Sequence, residues 1–142
     1  MADSLLYLDL ELFLTGWYRT RLAALNWTVC EDLEVDRVEP DPGQEFPRRL
    51  LVIRDDGRTR TSRSTSTQSV GLTALMGSKE NPADAMELLQ IVLALSESLP
   101  STDSLNPVTA VLSSTGPTLI TERQPHARAY ATLELATTGV PF

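Results

Sequence analysis

Two stretches of the chain alternate between apolar and polar residues, and this alternation restricts its fold more than any other feature. In residues 127–135, alanines and leucines at odd positions are separated by arginine, tyrosine, threonine and glutamate. Residues 69–76 place four apolar side chains on one side of the chain: Val70, Leu72, Ala74 and Met76. Both patterns predict half-buried β-strands. The sheet that they form must therefore be covered on one face.

The residues after 69–76 are typical of a helix start. Asn81 is a good N-cap, Pro82 suits the first helical position, and Asp84 lies where the helix dipole favours negative charge. The apolar residues that follow share one helical face: Ala85, Leu88, Leu89, Val92, Leu95 and Leu99. We therefore predict a helix over about residues 82–98, ending before Pro100.

Residues 3–25 predict a second long helix, because they contain no proline and only one glycine. Leu6, Leu10, Phe13 and Trp17 recur at helical spacing. The leucines at positions 8, 10, 12 and 14 give a competing alternation typical of a strand. The absence of turn residues favours the helix, with Asp3 or Ser4 as its N-cap and Asn26 beyond its end.

Further strands are predicted in the middle of the chain. Residues 28–39 and 49–55 have strand patterns, and residues 40–47 between them form a loop that holds three prolines and one glycine. Asp56-Gly57 is typical of a two-residue hairpin turn. It predicts a following strand over about residues 58–64.

The order of these elements indicates the fold class. Residues 100–107 predict a loop, and residues 108–114 predict a short strand or turn-rich segment that is broken at Gly116-Pro117. We expect an α+β fold, with a mostly antiparallel sheet of four or five strands and two main helices packed on one face. A length of 142 residues fits a single domain.

Charge is distributed unevenly along the sequence. Residues 31–45 hold seven acids and one arginine (net −6), whereas residues 48–63 hold six arginines and two aspartates (net +4). Two interpretations explain this pattern equally well. The segments are solvated loops of opposite charge, or they form a dipolar surface whose acidic part meets the basic part of a neighbouring copy. On the second interpretation the candidate interface residues are Arg58, Arg60 and Arg63, followed by Arg48, Glu34 and Asp36.

The segment over residues 56–69 has a composition of its own. From residue 58 onward it carries three arginines and eight serines or threonines, with no large apolar side chain. Three interpretations remain open: an exposed β-arm that pairs with a partner, a mobile loop that becomes ordered on assembly, or a plain flexible surface loop.

The reactive residues do not form a catalytic or metal-binding pattern. The single Cys30 forbids an internal disulfide, and the single His126 leaves no pair for zinc. Ser104, Ser113 and Ser114 lack a nucleophile-elbow motif, and no phosphate-binding loop is present. We therefore predict no enzyme activity, no cofactor and no bound metal.

Composition also limits the partners and the compartment. A formal net charge of −7 disfavours electrostatic coating of nucleic acid. The start lacks the basic region of a secretory signal, and no window has the roughly 20 apolar residues that cross a bilayer. We expect a soluble protein of a reducing compartment, without a membrane partner.

Several segments resemble tail terminator proteins of long-tailed, siphovirus-type phages of actinobacteria. They are LDLELFLTGWYRTRLA (8–23), EDLEVDRVEPDPGQEFPRRLLVIRDD (31–56), SVGLTALMGSKENPADA (69–85), AVLSSTGPTLI (110–120) and RAYATLELATTGVP (128–141). Together they cover most of the chain. None of them is a catalytic signature.

The resemblance implies a small α+β subunit that forms a hexameric ring at the head-proximal end of the tail tube. Such a ring stops polymerisation of the major tail protein and joins the tail to the head connector. DNA passes through its lumen without specific binding, and no cofactor is needed. The implied location is the tail–head junction of the virion, after assembly in the host cytoplasm.

Two alternatives remain open. Another neck component, such as a head-closure or connector subunit, has a similar size and also forms a ring. A small hydrolase or nucleotide-binding domain is a possibility from another class, against which the lone histidine and the missing phosphate loop both count.

Overall fold

The computed structural model describes all of the chain except residues 1–4, 7–8, 42–43, 46, 61–64, 78–81, 101–105, 121–126 and 142. Its elements in chain order are β1 (Leu5–Leu6), α1 (Leu10–Ala23), a short 3-10 helix (Thr28–Cys30), β2 (Leu33–Asp36), β3 (Arg49–Arg60), β4 (Thr65–Met76), α2 (Ala83–Ser96), β5 (Val108–Ile120), β6 (Ala127–Thr138) and β7 (Val140–Pro141).

The main sheet has five strands in the order β2-β3-β4-β6-β5. The pair β2–β3 is parallel and the other neighbours are antiparallel. A separate antiparallel pair joins β1 to β7. The α+β fold with a five-stranded, mostly antiparallel sheet is thus confirmed.

Both helices pack on the same face of the sheet. The helix α1 lies against β2 and β3, and α2 lies against β4, β5 and β6. The alternating residues of β4 and β6 that were predicted to be buried all lie in the core on this face. The opposite face has a much smaller buried cluster, Leu50, Val52 and Leu75. Burial of apolar side chains against the helices therefore fixes which face of each strand is internal.

The first helix is shorter than predicted. It begins at Leu10, after Asp9, whose side chain accepts a hydrogen bond from the backbone N–H of Leu12 at 3.0 Å. Leu5–Leu6 form a strand instead, because β7 provides a partner for them. The predicted caps Asp3 and Ser4 lie outside the described residues. A helix start from residue 3 is therefore wrong, whereas its end before Asn26 is confirmed.

The second helix matches its prediction closely, since α2 covers Ala83–Ser96. Pro82 is the N-cap and not the first helical residue as predicted, and its backbone carbonyl accepts a hydrogen bond from the N–H of Met86 at 3.2 Å. Asp84 lies in the first turn as expected. The predicted cap Asn81 is outside the described residues.

Asp56-Gly57 is a β-bulge, and the predicted hairpin turn at this position is wrong. The strand β3 continues through both residues to Arg60, with Asp55 opposite Val70 and Gly57 opposite Ser69. Asp56 is thus an extra residue in one strand. Gly57 has a φ of +131°, which a glycine adopts without strain.

The strand β5 does not break at Gly116-Pro117, so that prediction is also wrong. It runs from Val108 to Ile120 and absorbs irregular residues at three places along its pairing with β6. Gly116 and Pro117 together lie opposite Ala131. Gly116 and Pro117 therefore form a bulge within the strand, where a break in the strand was predicted.

Replacing Gly116 with alanine should destabilise the fold. Gly116 has a φ of +100°, and an added Cβ would lie 2.8 Å from the carbonyl oxygen of Tyr130. We expect a loss of about 1–3 kcal/mol in the free energy of unfolding. Gly16 is the matched control, because it lies in α1 with open space around its Cβ position. There, alanine should add about 0.5–1 kcal/mol in urea unfolding. Equal effects at the two positions would contradict this account.

Candidate interaction surface

An acidic groove lies beside β2. Glu34 and Asp36 of β2 line it together with Glu39, Glu45 and Arg48 of the segment that joins β2 to β3. Its volume is about 820 Å³. Glu34, Asp36, Glu45 and Arg48 are exposed. Within the described part of the chain, none of these four side chains forms an ion pair with another. The groove therefore presents a net negative charge to solvent.

The connecting segment is fastened to the sheet by an ion pair. Both terminal nitrogens of Arg128 on β6 donate to the carboxylate of Glu39, one of them at 3.0 Å. Arg128 lies opposite Leu75, so Glu39 reaches across the helix-free face of the sheet. The Arg128 side chain is only 12 % exposed. Because this pair is bidentate and partly shielded from water, it holds one wall of the groove in place.

Replacing Glu39 with glutamine should loosen the groove and destabilise the fold. The amide keeps the shape but loses the charge that the shielded Arg128 requires, so we expect a loss of about 1–2 kcal/mol. Urea unfolding measures this loss. Glu45→Gln is the control, because Glu45 is exposed on the same groove and should change stability by less than about 0.5 kcal/mol. The account fails if the two variants are equally stable.

Two arginines near the groove have internal roles that keep β2 in position. Arg49 is buried and donates to the backbone carbonyl of Glu31 at 2.6 Å. Arg19 on α1 donates to the carbonyl of Val35 at 2.6 Å. Neither guanidinium neutralises a groove carboxylate.

The other end of β3 carries the arginine-rich part of the sequence. We call the paired ends of β3 (Gly57–Arg60) and β4 (Thr65–Ser69) the arginine arm. Arg58 and Arg60 belong to its β3 half, opposite Gln68 and Ser66. The groove residues of β2 pair with Leu50–Val52. At roughly 3.3 Å per residue, the arm and the groove are separated by about 20–30 Å along β3.

The arginine arm is an integral part of the main sheet. Ser66–Ser69 pair with β3 on one side, and Thr65–Ser69 pair with β6 on the other. Ser66, Gln68 and Thr137 are buried and joined by hydrogen bonds of 2.7 Å (Ser66 to Thr137) and 3.1 Å (Thr137 to Gln68). Gln68 also donates to Asp55 at 3.0 Å. For these residues the interpretation as a plain flexible loop is wrong, because polar side chains can be buried when they satisfy one another.

The structure divides the six predicted interface residues into two groups. Glu34, Asp36 and Arg48 come together in the groove, so Arg48 belongs to the acidic end and not to the arm. Arg58 and Arg60 lie at the far end of β3. Arg63 lies outside the described residues. Sequence reasoning missed Glu39, whose partner Arg128 is 89 residues away and gives no local signal.

The other reactive residues do not form a catalytic arrangement in the described structure. Cys30 is buried, and burial raises the pKa of its thiol, which Arg49 opposes. Ser113 and Ser114 are exposed on β5, whereas Ser104 and His126 are outside the described residues. No group of three or more histidine, cysteine or acidic side chains is placed to hold a metal among the residues that the structure describes.

Comparison with known proteins does not assign a family. No protein-family model matches the sequence, and no curated protein is significantly similar to it. Neither α1 nor α2, the α-helices of the described ranges, is long and apolar enough to cross a bilayer.

Proposed function

We propose that this protein is a structural subunit of a phage virion, the tail terminator of a long-tailed phage. Copies form a ring, which is a hexamer in this proposal, on the head-proximal end of the tail tube. The ring stops growth of the tube and provides the surface for joining the head. The protein catalyses no reaction and needs no cofactor.

The observation that carries this proposal is the placement of opposite charges at opposite ends of β3. The acidic groove lies beside the first residues of that strand, and the arginine arm is formed by its last residues. An arm on one copy can therefore contact the groove of the next copy while its own groove stays open. Such a head-to-tail contact is heterologous, and it closes into a ring when the rotation between copies permits.

The net charge supports a channel through which DNA passes. Six copies at −7 each carry a formal charge of −42 before screening. A ring of net negative charge repels the phosphate backbone, so DNA passes through its lumen without being held. The other partners in this proposal are the major tail tube protein below the ring and the head-tail connector or head-closure protein above it.

Light scattering coupled to size-exclusion chromatography tests the proposal, with and without purified tail tubes. A free ring of six copies of the 15.6 kDa chain has an expected mass of about 94 kDa, and a ring that forms only on the tube should elute with the tube. Electron microscopy of tails purified without heads should show the ring at one end. A ring found only on heads would identify a head-closure subunit instead. A monomer in both conditions would contradict the proposal.

A further inference from the structure

A second pocket lies on the other side of β2 from the acidic groove. Glu34 and Asp36 face the groove, whereas Leu33 and Val35 line this pocket. Its volume is about 400 Å³, and it also contains Leu22, Leu25 and Trp27. The two sites are thus separated only by the width of one edge strand.

Trp27 is the unusual residue of this pocket, because its large side chain is 53 % exposed. Leu22 is buried beneath the pocket, and Leu25 and Leu33 are half-buried. An exposed indole beside apolar walls is a feature that interfaces use, since tryptophan contributes strongly when a partner covers it.

The negative charges around Trp27 favour a positively charged partner. Glu31 and Asp32 line the pocket and are exposed. Arg19 is the one basic side chain among the lining residues, and its guanidinium is engaged with the carbonyl of Val35. An aromatic face beside two carboxylates suits a guanidinium, which stacks on indole and donates to carboxylates in the same geometry.

We infer that the Trp27 pocket binds an arginine from the arginine-rich segment of a second copy. This inference rests on the proposed ring and names the aromatic part of its contact. The donor segment is GRTRTSRS (residues 57–64), which has a net charge of +3. A segment of eight residues can extend over roughly 26 Å, which is more than the width of one strand, so it can reach both sides of β2. The groove then receives one part of the segment and the pocket another.

A peptide titration tests the inference without requiring a ring. The peptide GRTRTSRS, blocked at both ends, is added to the full chain carrying Arg58→Glu, Arg60→Glu and Arg63→Glu, whose own segment then has no arginine to compete for the pocket. Trp17→Phe in the same chain leaves Trp27 as the single indole reporter. We expect saturable quenching of its fluorescence, with weaker binding at higher salt. If Trp17→Phe prevents folding, the Trp27 indole N–H signal in NMR provides the same measurement.

Matched variants identify the chemistry. Replacing Trp27 with leucine should weaken binding of the peptide by about 3–10-fold, which NMR can follow. Replacing the arginines of the peptide with lysines should have a similar effect, because each change removes the stacking contact. Leu12→Ala is the control, because Leu12 is 59 % exposed on α1 and lines neither site. Equal binding of the lysine peptide, or no response at Trp27, overturns the inference. A ring that forms normally despite this result leaves the proposed function standing.

Discussion

Reversing Arg58 and Arg60 to glutamate should abolish ring formation and leave the subunit folded. In the proposed ring, both side chains approach Glu34 and Asp36 of the next copy, and the reversal places like charges there. Like-charge contacts at an interface cost several kcal/mol, so we expect at least about a 100-fold loss in association. Light scattering measures the mass, and circular dichroism measures the fold.

Two further variants separate this specific contact from a general effect of charge. Arg21→Glu with Arg54→Glu changes the net charge equally at exposed positions away from the groove and the arm end, so its rings should persist. Glu34→Arg with Asp36→Arg should also abolish rings. Combining it with Arg58→Glu and Arg60→Glu should restore them, because the attraction returns with its signs exchanged. Failure of this rescue, with all chains folded, would refute the arm-to-groove contact.

Replacing Tyr18 with alanine should be the most destabilising substitution considered for the fold. Tyr18 is fully buried in α1, and its hydroxyl forms a hydrogen bond with Ser96 of α2. Ser96 in turn donates to the carbonyl of Val92 at 2.6 Å. Alanine removes the ring that joins the helices and leaves a cavity, so we expect a loss of about 3–5 kcal/mol in urea unfolding.

Tyr18→Phe separates the ring from the hydroxyl. It keeps the packing and loses one hydrogen bond, so its cost should be about 1 kcal/mol. Burial raises the pKa of the Tyr18 hydroxyl above its ordinary value of about 10. The wild-type chain should therefore lose stability as the pH rises above about 10, where the unfolded chain releases this proton first. Tyr18→Phe should lose less over that range, and an identical decline would count against this assignment.

The sequence predicts correctly those elements in which apolar residues recur at a regular spacing along one whole face of the strand or helix. The strands β4 and β6 and the helix α2 are of this kind, since core packing and local pattern agree there. Asp56-Gly57 and Gly116-Pro117 are different, because the same residues fit a turn or a bulge. The neighbouring strand, which pairs on both sides of the irregularity, decides between them.

The candidate site was predictable only in its charges. The acidic and basic segments are visible as runs in the sequence. The shape of the groove and its distance from the arginine arm do not follow from those runs. Arg48 illustrates the limit, because it is adjacent in sequence to the basic segment and lies among the groove acids in the fold. Trp27 gave no signal at all, since a single aromatic residue in a short connection has no periodicity.

Both edges of the main sheet have features that disfavour the addition of another strand. The edge strand β2 has only four residues, and Arg19 occupies the carbonyl of Val35. Beyond β2, Glu11 accepts from the backbone N–H of Asp55 at 3.0 Å, and the opposite edge β5 is irregular at three places. Edges of this kind resist the addition of further strands. In the proposed ring the contacts between copies are therefore mainly those of side chains, so we expect high salt to separate the copies without unfolding them.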